Sequence, residues 1–179
     1  MKKESISNIH EILVERVTGL PHKILLYHEV NSLPHIVLNY LGHKDCFNLK
    51  QAAYFIDNPD FDQIIGIAGF SQDESKIKSL DGVWEDPHSY SKKNKDLKFD
   101  KNVRSYSSPS FQRQKIDLTK SSCVCELGKK IGFKNPQYFT WNVKHGNHGL
   151  LIYECKKDLP EKSKNLLRDA ASFLGFCAF

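Results

Sequence analysis

At 179 residues, with 40% apolar and 26% charged residues, the chain has the composition of an ordinary globular protein and the length to bury about 70% of its unfolded surface in one core. No run approaches the roughly eighteen apolar residues of a membrane helix. The net charge of +5 is diffuse, and its densest stretch, 91–104 (SKKNKDLKFDKNVR), carries Asp96 and Asp100 inside it without an aromatic-interleaved recognition module. Neither a membrane nor a nucleic acid is therefore an expected partner.

The opening MKKESISNIHEILVERV has two lysines, but Glu4, His10, Glu11 and Glu15 stand where a leader would be apolar. Five cysteines, an odd number at irregular spacing, add no disulfide framework, and a reduced cytoplasmic setting is expected. Ile6, Ile9, Leu13, Val17 and Leu20 recur at three- and four-residue spacing, which predicts a helix over 5–18 closed by Gly19. KILLYHEV (23–30) reads as a strand, although a helix fits the same residues. A second helix follows, capped by Asn31 or Ser32, with Pro34 in its first turn and Gly42 at its end.

QAAYFIDNPDFDQIIGIAGF (51–70) predicts a hairpin turning at Asn58-Pro59-Asp60, where proline presets φ. Gly66 and Gly69 point to a bulge or to close packing. Residues 71–118 are rich in Ser, Lys, Asp and Asn, with sparse aromatic residues, and are expected to form a long, partly ordered excursion from one domain spanning 1–179. Thr119 is a candidate cap for a helix over 120–131 with Cys123, Val124, Leu127 and Ile131 inward.

Next, YFTWNVKHGNHGLLIYE predicts a second hairpin with Gly146-Asn147 as a two-residue loop. That register pairs His145 with His148, Val143 with Leu150 and Trp141 with Ile152. It places Phe139, Trp141, Val143, Leu150 and Ile152 on one buried face. Asp158 and Glu161 suggest a capping box around Pro160, opening a last helix that buries Leu166, Leu167, Ala170, Ala171 and Leu174.

This order of elements resembles the GAF superfamily of sensory domains, and the residues that carry the resemblance are the two hairpins and LPEKSKNLLRDAASFLGF. The resemblance implies an α+β, GAF/PAS-like fold: a central antiparallel sheet of five to six strands, terminal helices on one face, and the excursion lying as a lid over a ligand pocket on the other. Relatives bind cyclic nucleotides, haem, bilins or small metabolites, and a few reduce free methionine sulfoxide; fold alone selects none of these. Pocket walls would come from Trp141, Val143 and Leu150, and the lid from Trp84, Tyr90 and Tyr106.

His145 and His148, opposed across two strands, are candidate metal ligands, because neutral imidazoles on one face converge at bonding distance. The plainer account is that they border a turn. Cys123 and Cys125 lie two apart, so on a helix they point about 200° from one another and cannot share a ligand. His28, His35, His43 and Cys46, near Glu29 and Asp45, are dense in ligand types but lack a standard zinc spacing, and capping or surface roles suit them better. The leading expectation is thus a non-catalytic, small-molecule-binding regulatory domain, its ligand or cofactor unspecified. Two others are a small metal- or thiol-dependent enzyme using the histidine pair and a cysteine, and an interaction module that forms a homodimer through its terminal helices.

Overall fold

The structure is a computed structural model that describes residues 2–77, 79–94, 97–116 and 122–177. It is α+β: a five-stranded antiparallel sheet in the order β3-β2-β1-β5-β4, formed by β1 (Leu49–Asn58), β2 (Gln63–Ser71), β3 (Ser107–Ser108), β4 (Gln137–Asn142) and β5 (His148–Cys155). The central strands β1 and β5 are buried on both sides. One face packs Tyr54, Ile56, Leu151 and Tyr153 against Leu13, Val17, Leu20, Leu33, Val37 and Leu167. The other packs Ala53, Phe55, Leu150 and Ile152 against Phe99, Val103, Val124, Leu127 and Ile131.

The first helix, α1 (Lys2–Leu26), runs past Gly19 and through Pro21, and the segment 23–30 is not a strand but the end of this helix and a turn. The stripe Leu13, Val17, Leu20, Ile24 keeps its helical spacing and is at most 4% exposed. Its burial outweighs the breaking tendency of one glycine and one proline. Gly19 itself is solvent-facing, with no heavy atom within 4 Å of a Cβ placed on it. Gly19→Ala should therefore stabilise the protein by about 1 kcal/mol. Thermal melting would show this as a rise of about 2–4 °C.

Helix α2 (Leu33–Gly42) matches its predicted limits and is buried almost all round. The β1–β2 hairpin also forms as expected. Asn58 Oδ1 accepts the amides of Asp60 and Phe61 at 3.0 and 3.1 Å, an Asx turn. The register slips between Tyr54 and Phe55, which pair with Ala68 and Gly66, so Ile67 is the extra residue of a bulge.

The stretch after β2 is not an open lid. It carries α3 (Gly82–Glu85), α4 (Pro87–Asn94), α5 (Lys98–Arg104) and β3. Leu80, Val83, Trp84 and Tyr90 belong to the same cluster as α1 and α2, whereas Phe99, Val103 and Phe111 fill the opposite face. The chain thus passes round the β2 edge, and the sheet face expected to remain open as a pocket is filled by direct packing. Thr119 lies outside the described residues, and α6 runs over Ser122–Ile131 with Val124, Leu127 and Ile131 buried and Cys123 only half-buried.

The C-terminal hairpin forms in a different register. Trp141 pairs with Gly149, Thr140 with Leu150 and Tyr138 with Ile152. Val143 and Asn147 close a loop made of Lys144, His145 and Gly146. Positive φ falls on His145 (60°) and Gly146 (72°), one residue earlier than predicted. The shift is odd, so Phe139 and Trp141 share a face with Leu151 and Tyr153, while Leu150 and Ile152 point to the other side. Because β5 is buried on both faces, its own residue pattern carries no register information. Helix α7 (Glu161–Ser172) starts at Pro160 with no side-chain cap, so the Asp158–Glu161 box does not form.

Candidate functional site

The aromatic residues expected to wall a pocket are distributed over three places. Trp84 is 5% exposed, stacks on Tyr27 and meets Tyr40 edge-on, with Lys23 Nζ 5.0 and 5.7 Å from the Tyr40 and Trp84 rings. Tyr90 lies in that same helical cluster. Trp141 stacks on Tyr54 with centroids 5.7 Å apart, and Val143 and Trp141 both flank Gly175 in the turn Phe173–Phe176. Tyr106 meets Phe55 edge-on beneath the other face, where Leu150 is also buried. Two sheet faces separate these groups.

His145 is exposed in the turn and His148 opens β5, paired with Asn142 on one side and Asp57 on the other. The facing pair of imidazoles does not form. Among the described residues, no group of three or more His, Cys, Asp or Glu side chains is placed to hold a metal ion. His148 Nδ1 and the buried Asp57 Oδ1 have no protein partner, while Asp57 Oδ2 accepts the Gln112 amide at 3.0 Å.

The N-terminal histidines serve the scaffold. His43, 4% exposed, accepts the Asp45 amide on Nδ1 at 3.2 Å, and burial holds its pKa below the usual histidine value. His28 is exposed and bonds the Leu25 carbonyl. His35 reaches from α2 to Asp100 of α5 and joins it and Arg104 in an ionic cluster. Its Nε2 donates to Asp100 Oδ1 at 2.8 Å, Arg104 Nε donates to Oδ2 at 2.7 Å, and the Gly69 amide donates to Oδ1 at 2.8 Å. Desolvation is the largest single influence on Asp100 and raises its pKa, yet these three donors together leave it below the usual carboxylate range. Both its oxygens accept hydrogen bonds, and the cluster ties two helices to a strand.

Burial also raises the thiols: Cys46 to about 12, Cys155 to about 11 and Cys177 to about 12. They are protonated at neutral pH and poor nucleophiles.

A concave site does occur where the helices end. On the helical face, at the β1–β2 turn end of the sheet, Ile56, Ile65 and Ile67 form an apolar floor under Asn58, Gln63, Asn147 and Phe61, enclosing about 190 Å³. Register builds it: Ile56 faces Ile65 and Asn58 faces Gln63 across the hairpin, Ile67 lies on the same side as Ile65 by strand alternation, and Asn147 enters from the turn before β5. No charged side chain lines it. Gln63 Nε2 is held by Ser107 Oγ at 2.7 Å and Asn58 Oδ1 by the turn amides, which fixes both side chains. Asn147 Oδ1 is buried without a partner. Phe61 stands 79% exposed at the rim.

The sequence pattern does not reveal this cleft: Ile65 and Ile67 read as ordinary alternating strand residues, and only the folded sheet brings Phe61 and Asn147 beside them. The His35–Asp100–Arg104 cluster left one trace, the four-residue spacing of Asp100 and Arg104.

No protein-family model matches the chain, and neither a curated protein nor a solved structure does. Among the described residues no helix is long and apolar enough to cross a membrane.

Proposed function

We propose that the chain is a non-catalytic regulatory domain, GAF-like in plan, that binds a small uncharged molecule in the cleft at the turn end of the sheet. The observation that carries this reading is the apolar Ile56–Ile65–Ile67 floor ringed by the uncharged polar residues Asn58, Gln63 and Asn147. An apolar concavity with a few convergent polar groups is the usual form of a ligand site. A cavity of about 190 Å³ lies below the roughly 300 Å³ at which drug-sized sites begin, which selects a small metabolite. The absence of charge on its walls selects a neutral one. The GAF-like plan draws support from the antiparallel sheet with β1 and β5 at its centre and from the packing of α1 and α7 on one face.

A thermal-shift screen of neutral metabolites tests the proposal. A ligand at a hundredfold its Kd adds about 2.7 kcal/mol, a shift of about 5–10 °C for a domain of this size. Ile65→Glu, on the cleft floor but already 36% exposed, should abolish the shift while the unliganded protein melts within about 2 °C of the parent. A shift that survives Ile65→Glu and disappears in Tyr106→Ala would place the ligand under the excursion instead.

Pairing through the terminal helices has less room than the sequence pattern suggested. Leu13, Val17 and Leu20 are spent on the chain's own core, and Leu174 and Cys177 are fully buried beneath it. Among the residues of these segments whose burial is described, Ile12, Val14, Leu25, Leu26 and Phe176 are the large apolar side chains left exposed.

A further inference from the structure

The two edges of the sheet are treated differently. At β2, Ile64 and Ile65 pair with β3, the Gly66 amide donates to the Tyr106 carbonyl at 3.1 Å, and the Gly69 amide is taken by Asp100. This edge is closed by dedicated partners. At β4 the hydrogen bond from Val143 N to Asn147 O fixes which residues face β5. With the two-residue repeat of an antiparallel pair, Trp141, Phe139 and Gln137 bond to β5, and the N–H and C=O of Tyr138, Thr140 and Asn142 point outward. Among the described residues nothing bonds to these groups, and QYFTWN holds no charge or proline to repel another strand.

We infer that β4 pairs edge to edge with β4 of a second copy, antiparallel about a two-fold axis through Thr140. Two features select a second copy. The outward groups recur every two residues, so the two-fold places Thr140 opposite Thr140 and Tyr138 opposite Asn142, with every outward donor meeting an acceptor. The strand is uncharged, so no charge of its own confronts a like charge across the axis; along the chain the nearest are Lys134 and Lys144 on either side, and Arg168 of α7 is held over the Phe139 ring at 5.0 Å. This continues one sheet through both copies, leaves the cleft at the turn end of β1 and β2 free, and does not depend on what that cleft binds.

Sedimentation equilibrium on the full chain at tens of micromolar should give twice the 20.6 kDa chain mass. The amides of Tyr138, Thr140 and Asn142 should show hydrogen-exchange protection that rises with concentration. Thr140→Lys sets two ammonium groups against each other at the axis and should halve the mass, with Tm and far-UV circular dichroism retained. Thr140→Glu should do the same, and mixing the two variants should restore the dimer. A 20.6 kDa parent with freely exchanging Tyr138, Thr140 and Asn142 amides overturns the inference. So does a dimer that persists in Thr140→Lys but is lost on deleting residues 176–179, which would assign it to the terminal helices.

Discussion

Gly66→Ala should destabilise the protein by about 3 kcal/mol, the upper end of the range for overpacking, lowering Tm by about 6–12 °C. A Cβ at this position would overlap the Val103 carbonyl oxygen and stand 2.7 Å from the Val103 carbonyl carbon. These are backbone atoms of α5, which cannot swing aside as a side chain would. The helix must lift from the strand, and in lifting it draws Asp100 away from both Gly69 and His35 and strains the Gly66 amide bond to Tyr106. Gly82→Ala is the control, because its nearest neighbour is Ser79 Oγ at 3.6 Å and the expected change is within about 0.5 kcal/mol. Chemical denaturation of the two variants side by side decides the matter. A loss below about 1 kcal/mol for Gly66→Ala would mean that α5 does not rest on β2.

Removing the carboxylate that bridges α2, α5 and β2 should have an effect of the same size by a different route. Asp100 is 2% exposed and accepts three hydrogen bonds. Asp100→Ala strands the buried Gly69 amide and leaves two cationic or polar side chains without their acceptor, a class of change that costs about 3–5 kcal/mol. The lower end applies, since the His35 and Arg104 side chains are 23% and 34% exposed and regain water.

The same carboxylate makes this difference pH-dependent. Its folded pKa lies below the ordinary value, so the folded state favours the ionised form. Its contribution is complete above the unfolded carboxylate pKa near ~3.9 and declines as pH falls through the lower folded value. The gap in urea midpoint between parent and Asp100→Ala should therefore narrow as the pH falls below about 4. A gap that stays constant down to pH 3 would show that Asp100 acts by packing rather than by charge.

The sequence by itself determined the local elements whose cause is local. Asn58-Pro59 makes its turn because the Asn side chain bonds amides two and three residues on, and α2 starts near Pro34 and stops at Gly42 because those residues limit the backbone wherever they sit. Gly66 and Gly69 signalled close approach, and α5 is what approaches. The α+β class and the antiparallel sheet were legible for the same reason, since hairpins and amphipathic stripes announce themselves over a few residues.

Tertiary structure decided whatever depends on a second surface. Helix α1 runs through Gly19 and Pro21 because Leu20 and Ile24 have a sheet to bury against. The β4–β5 register follows from two covered faces, between which apolar alternation cannot discriminate, and from a turn that sets His145 at positive φ. Trp84, Tyr90, Tyr106, Trp141, Val143 and Leu150 share a character that suits a pocket, yet the chain's passage round the β2 edge divides them between two cores. Conversely, His35 and Asp100 are 65 positions apart in the numbering and meet only because α2 and α5 overlie one strand edge. The cleft at Ile56, Ile65, Ile67 and Asn147 belongs to the same kind: its walls come from β1, β2 and the turn before β5, an arrangement that exists only once the sheet has formed.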